Sequence, residues 1–344
     1  MTHPKIDLTH KLEKERNVTS KLPIVSNGKL YIPYHYDKAG FFESKIVCLD
    51  TSTFNVVWEY THPHVVMGLA ASESGEIVGT FMGGNVLSFK PETGEILWDY
   101  SNGRTGFGTI SNISDNRVIF TINSHPNFAT VCLDVRTGEE LWISENANHS
   151  YTPSIIGDKV YQSSKNTLMC RSLVTGETTW SSEEKRTYVF NVVAIDDMVA
   201  VGGHDLVNIY GTSGKLLTSI TTGSKQSSIR AFVYESGRLY FGDESGVFYC
   251  YTIELGKNYL QVSTVEAKLA WKYEGKGKIE STPALYDGSI YIVTDAENLL
   301  CLNAMSGEVE AELPTAGKAN ISGVRIYEGD IYTAIGRFAY KISA

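Results

Sequence analysis

Cys132-Leu133-Asp134-Val135-Arg136-Thr137-Gly138-Glu139-Glu140-Leu141-Trp142 decides the fold of this 344-residue chain. It is the fullest copy of an internal repeat, Cys-Leu-Asp-x-x-Thr-Gly-Glu-x-x-Trp. All five tryptophans, Trp58, Trp98, Trp142, Trp180 and Trp271, close a copy, and all five cysteines, Cys48, Cys132, Cys170, Cys250 and Cys301, open one. Confining the rarest residue types to two repeat positions makes them parts of a scaffold, which removes most thiol and stacking chemistry from consideration.

Outward from this segment the same order of runs and turns recurs. In the fourth unit it is Thr152–Ile156, turn Gly157-Asp158, Lys159–Gln162, Thr167–Ser172, turn Thr175-Gly176 and Glu177–Trp180. The seventh has Pro283–Tyr286, turn Asp287-Gly288, Ser289–Val293, Asn298–Asn303, turn Ser306-Gly307 and Glu308–Ala311. Short runs rich in Val, Ile and Tyr with Gly or Asp-Gly between them are hairpins. Four antiparallel strands at a period of about 40 residues make a propeller blade.

Turn landmarks at Ser52-Thr53, Thr93-Gly94, Thr137-Gly138, Thr175-Gly176, Ser213-Gly214, a stretched copy ending at Trp271, and Ser306-Gly307 mark seven units. An eighth starts near Ile321 and stops after three strands. An unclosed ring would leave an aggregation-prone edge. The expectation is therefore an all-β, eight-bladed β-propeller of four-stranded antiparallel blades. Residues 1–20 supply the closing outer strand through Ile6–Leu12, and residues 21–344 form a single propeller domain; seven blades is the alternative. Each Trp is expected between blades, over the Thr-Gly turn of a neighbour. Thr218 and Ala311 stand where two units lack it, so a cavity or a substitute filler is expected there.

Composition narrows the function. Net charge is −9, with 42% apolar and 20% charged residues, which argues against a broad nucleic-acid or anionic-membrane surface. Met1–Ser20 is polar and lacks the apolar core of a secretory signal. No stretch approaches the ~20 apolar residues of a membrane span. The expected location is the cytoplasm, and the expected state before partner binding is a monomer. The cysteines, at equivalent positions on separate sheets, are expected to be buried thiols that do not face one another.

Motifs for catalysis are weak. His62-Pro63-His64 offers too few ligands for a metal. Asp243-Glu244-Ser245-Gly246 and Asp295-Ala296-Glu297 lack the Asp-x-Asp-x-Asp-Gly spacing of a calcium loop and read as turns, as does Gly202-Gly203-His204-Asp205. There is no Gly-x-Ser-x-Gly elbow and no Gly-rich phosphate loop with its Lys. Neither a catalytic residue nor a cofactor or metal site is expected.

The loops leading into the blades carry the opposite signal. Before the innermost strand stand Lys21, His64, Arg104, His149, Arg186, Lys225, Lys278 and Lys318, a basic or imidazole side chain at every blade. Convergence would make a positive rim for an acidic partner protein, whereas scattered cations are ordinary on exposed loops. The same face carries two stretches read as long loops, Tyr34–Glu43 with Tyr36, Phe41 and Phe42, and Ser124–Phe128 with His125 and Phe128. Loop aromatics are typical interface anchors, and the alternative is that they fold back onto the blade edge. The stretched copy over Ile253–Lys268 reads as a longer loop on the opposite face.

The repeat resembles that of the pyrroloquinoline-quinone-type propellers, in which Ala-Leu-Asp-x-x-Thr-Gly-x-x-x-Trp stacks blade on blade. The resemblance covers Lys21 to Ala344, with Cys in place of the usual Ala in five copies. It implies one of two functions. Quinoprotein dehydrogenases hold a quinone over the channel with calcium, an adjacent-cysteine disulfide and an Asp base, and this chain has no adjacent cysteines. The non-catalytic branch, which includes the propeller subunit of the outer-membrane protein assembly machine, docks proteins. The expectation is a non-enzymatic propeller that binds a partner protein on its lead-in face, as a toxin-neutralising immunity protein or an assembly scaffold. The alternative is a quinone- or sugar-binding enzyme using the channel.

Overall fold

In the computed structural model, the described residues are 5–11, 18–72, 74–146, 148, 150–164, 167–183, 188–224, 227–257, 263–296, 298–316 and 322–343. They form eight antiparallel sheets and no helix. Each sheet is one blade, and in all but the eighth the strands run in chain order from the channel to the rim. Blade 3 is typical, with Phe107–Ile110 innermost, then Arg117–Ser124, Asn127–Asp134 and Glu140–Asn146. In blade 1 the innermost strand is split into Thr19–Ser20 and Ile24–Ser26, both paired with Lys29–Lys38. Pro23 sits in the gap, where a residue without an N–H cannot donate to the ladder.

Eight blades, not seven, close the ring. Blade 8 contributes Val324–Tyr327, Asp330–Ile335 and Phe338–Ser343. Its outermost strand is Lys5–Lys11, paired antiparallel with Phe338–Ser343 from Lys5↔Ser343 to Lys11↔Phe338. The two ends of the chain thus share one sheet.

The core lies between blades. One apolar cluster joins Tyr31, Ile46, Cys48 and Trp58 of blade 1 to Val66, Ile77, Leu87 and Phe89 of blade 2. Full burial of each such side chain is worth about 1.5–3 kcal/mol, and neither blade could achieve it alone.

The repeat motif makes this stacking specific. Trp58, Trp98, Trp142, Trp180 and Trp271 lie against Gly94, Gly138, Gly176, Gly214 and Gly307 of the following blade. A Cβ on any of these glycines would stand 2.5–2.7 Å from the indole. Each indole N–H donates to a carbonyl of that same turn, Pro91, Val135, Leu173, Thr212 or Ala304, at 2.8–3.1 Å. The glycines have φ between +73° and +82°, so the position requires both a left-handed backbone and the absence of a side chain.

Within a blade the Trp ends a row. Tyr31↔Cys48↔Trp58, Tyr161↔Cys170↔Trp180 and Tyr240↔Cys250↔Trp271 are in register across the second, third and fourth strands. All five cysteines are buried and free. Burial pushes the Cys48 and Cys132 thiols up to about 12, far from the thiolate that reactivity needs.

Junctions without Trp are filled differently. Between blades 8 and 1 the turn residue Phe54 of blade 1 reaches back and stacks on Tyr332, ring centroids 6.4 Å apart. Between blades 5 and 6 a groove of about 690 Å³ remains, lined by Met198, Leu217, Leu255 and Val265 among others. Leu217 and Val265 pack partly against the core there.

Three stretches expected as loops are hairpins. Lys29–Lys38 and Phe41–Asp50 stay paired out to Lys38↔Phe41, with only Ala39-Gly40 between them. Both turn residues have positive φ, 54° and 91°, the two-residue turn that matches strand twist. Arg117–Ser124 and Asn127–Asp134 pair out to Ser124↔Asn127. The stretched copy of blade 6 continues as Val247–Lys257 paired with Ser263–Glu274 through Lys257↔Ser263.

Candidate functional site

Backbone hydrogen bonds place the lead-in loops and the second-to-third strand turns on one face. Gly106 N donates to Met82 O, Asp205 N to Ser227 O, Gly275 N to Gly246 O and Asp295 N to Lys278 O. The third-to-fourth turns bond instead to the first-to-second turns on the opposite face, as Val135 N does to Asn116 O and Leu173 N to Asp158 O.

Four of the lead-in cations, His149, Arg186, Lys225 and Lys318, lie outside the described residues. The other four have different surroundings. Arg104 Nη2 is 2.8 Å from Glu145 Oε1. Lys278 Nζ is 3.7 Å from Glu244 Oε2, and Glu244 together with Glu280 also holds Arg230. Burial pushes the Lys21 ammonium down. His64 is exposed, with its backbone N donating to His62 Nδ1. Two of the four are therefore matched to carboxylates, which shortens the reach of any positive field on this rim.

The aromatics separate cleanly. Tyr36 is buried in the blade 1 core and its hydroxyl donates to Glu43, so it is not available as an anchor. Phe41 and Phe42, on either side of the same strand end, are 81% and 54% exposed. Phe42 meets His35 edge-on, centroids 5.5 Å apart. On blade 3, His125 is exposed and Phe128 half-buried, and their rings meet edge-on at 5.9 Å. Met82, in the blade 2 turn between these hairpins, is 47% exposed; sequence reading missed it, although Phe-Met-Gly-Gly at a turn was the available signal.

Around His62 the chemistry is structural. Its ring is buried on Phe81, centroids 4.0 Å apart, and burial pushes its pKa down. Asp243 Oδ1 accepts from Ser245 N, Ser245 Oγ and Val247 N, closing its turn. Among the described residues no three His, Cys, Asp or Glu side chains form a metal-holding group.

The central channel is a cavity of about 420 Å³. Its wall is mostly apolar, including Ile24, Leu69, Ile110, Val193 and Phe232, and among the described residues Arg325 is the one charged side chain lining it. The quinone and calcium ion of the dehydrogenases do not fit this wall. Among the described residues no carboxylate lines it, and the cysteines stand singly on separate blades.

Solved structures share this architecture. BamB from Moraxella catarrhalis superimposes with a TM-score of 0.70 at 13% identity, covering 98% of this chain and 97% of that one. The computationally designed Ika8 protein gives 0.77 at 12% identity, covering 97% and 99%. Quinohemoprotein alcohol dehydrogenase from Comamonas testosteroni gives 0.71 at 13%, covering 98% of this chain and 76% of that one. At these identities the likeness establishes the fold alone. No curated protein matches by sequence. The family model described as outer membrane protein assembly factor BamB matches residues 7–182, more than half of the chain, and the protein belongs to that family.

Proposed function

We propose that this propeller is a non-enzymatic docking protein whose partner binds the lead-in face, centred on the blade 1 hairpin. The observation that carries the reading is Phe41, a large apolar side chain 81% exposed at the tip of a projecting hairpin. An aromatic ring left in water at a paired strand end is typical of an interface anchor. Phe42, Met82, His125 and Phe128 extend that surface over blades 1 to 3. Membership of a family described by an assembly factor supports a role made of contacts rather than reactions.

The partner's contact is acidic in this proposal, on the strength of the basic or imidazole residue before every blade. Because Arg104 and Lys278 are already ion-paired, the apolar tip contributes most of the affinity and the cations tune association. Neutralising a toxin, as an immunity protein does, and scaffolding an assembly are both roles of this kind, carried out by a cytoplasmic protein that is monomeric before binding.

Copurification from the native host, followed by titration of the recovered partner, tests the reading. Phe41→Ala with Phe42→Ala weakens the partner by at least about tenfold, and Arg104→Glu changes the salt dependence of binding. Unchanged affinity in the double variant ends the proposal. The enzyme alternative draws on the likeness to quinohemoprotein alcohol dehydrogenase. A large thermal shift on adding pyrroloquinoline quinone with calcium would establish it in place of docking.

A further inference from the structure

Arg325 occupies a position that none of the other arginines described here shares. It is on the innermost strand of blade 8, lining the channel. Its one hydrogen bond among the described residues runs from Nη1 to the carbonyl of the adjacent Val324, 3.3 Å away and long for such a bond. No carboxylate among the described residues lies within ion-pairing distance of it.

Several other guanidinium groups have stronger partners, although Arg104 Nη1, Arg117 Nε and Arg171 Nε stay buried without one among the described residues. Arg230 is held by Glu244 and Glu280, Arg104 by Glu145 and Arg117 by Asp115. Arg171, the most deeply enclosed of these, donates to Ser144 Oγ, Gly176 O and Asn146 Oδ1. A guanidinium carries five N–H donors, so most of those on Arg325 meet no acceptor among the described residues. Burial alone, with no carboxylate opposing it, pushes its pKa down to about 10. The side chain is partly exposed to the channel, so its free donors are open to a ligand entering there, and a cation held against a low-dielectric wall favours a counter-ion.

We propose that the central channel is a binding site for a small organic carboxylate, with Arg325 as its anchor. The guanidinium fork matches a carboxylate bidentately. The remaining wall, with Ile24, Leu69, Ile110, Val193 and Phe232, is suited to a hydrocarbon body. A volume of about 420 Å³ admits a ligand of this size. Inorganic phosphate would meet only one cation and a largely apolar wall. The site stands apart from the hairpin of blade 1, so it neither needs nor excludes a docked protein.

Thermal unfolding with hexanoate, the uncharged hexanamide and inorganic phosphate tests this on the full chain. Hexanoate raises Tm by a few degrees at saturation, and hexanamide and phosphate do not. Arg325→Met abolishes the hexanoate shift and leaves the ligand-free Tm equal or higher, because an orphan charge has been replaced by an apolar chain of similar length. Arg325→Lys keeps the charge but loses the fork, and weakens hexanoate by at least about tenfold. Phe41→Ala leaves the hexanoate response intact.

The proposal is overturned if hexanoate shifts neither protein, or shifts wild type and Arg325→Met alike. A ligand-free Arg325→Met that melts well below wild type would also overturn it, since Arg325 would then be a satisfied structural residue. An equal response to phosphate overturns the assignment to an organic carboxylate.

Discussion

Trp142 and Phe41 are both large rings on strands of the same ring of blades, and the fold treats them in opposite ways. Trp142 is 8% exposed, lies on Gly176 of the next blade and donates its N–H to Leu173 O. Phe41 is 81% exposed at the end of a hairpin. At the rim, the chain supplies both the ring and the turn that receives it. At the hairpin tip, it supplies the ring alone. The contrast separates aromatic residues that complete the protein from one that awaits another molecule. Junctions lacking Trp support the distinction. Blade 8 is followed by a turn with Phe54 in place of Gly, and blade 6 has its extended hairpin where a Thr-Gly turn would be. Indole and glycine are therefore present together or absent together.

Breaking a sealed junction should have the largest effect. Trp142→Ala removes a buried ring and its hydrogen bond, and should cost about 3–5 kcal/mol. Urea unfolding followed by circular dichroism measures it. A loss no larger than that of a surface substitution would show that Trp stacking does not hold the blades. Gly176→Ala attacks the same contact from the other side. The new methyl would stand 2.5 Å from the indole at a φ of +73°, so a loss of about 1–3 kcal/mol is expected. Combining the two changes should cost less than their sum, because each disrupts the same contact.

How far this was legible follows from the same residues. Trp and Cys announced the ring because rare residues at a fixed period need a common environment. The Tyr of the Tyr-Cys-Trp row was harder to see, because tyrosine is abundant throughout the chain. The hairpin of blade 1 reads as a loop from sequence alone. Its sequence, Tyr34-His35-Tyr36-Asp37-Lys38, does alternate, and Tyr34 and Tyr36 are the buried side. The two-residue turn Ala39-Gly40 lacks the Asn-Gly or Asp-Gly that marks such turns, and without the strand pairing Tyr36 looks like an exposed anchor. The matching of Arg104 and Lys278 with acids was invisible, because Glu145 and Glu244 come from other strands or blades. Arg325 carries no signal at all in Val-Arg-Ile-Tyr; only the closed channel shows that no carboxylate among the described residues pairs with it.

The hairpin, unlike the Trp junction, should respond to pH. His35, under Phe42, has its pKa pushed down to about 4 by burial and by the Lys21 ammonium. The folded state therefore binds a proton less readily than the unfolded chain, whose His titrates near 6.5. Stability attributable to His35 is complete above about pH 6.5 and declines as pH falls toward about 4, where the folded form also takes up the proton. The partly exposed ring is screened by solvent, so the decline should be on the order of 1 kcal/mol. Comparing wild type with His35→Gln across this range isolates it; identical pH profiles would mean that His35 keeps an ordinary pKa.

Phe41→Ala should give the smallest change in stability and thereby test the contrast most sharply. The ring already stands in water in the folded state, so removing it forfeits almost no burial, and the midpoint should move by less than about 0.5 kcal/mol. The same substitution should weaken partner binding, since that is the only event that would bury the ring. Stability and affinity thus respond in opposite order at Trp142 and Phe41. If Phe41→Ala destabilised the fold as strongly as a core deletion, the hairpin tip would be packed in solution and could not serve as an anchor. If stability and affinity were both unchanged, Phe41 would be an exposed ring without consequence, and the docking surface would have to be sought around Met82 and Phe128 instead.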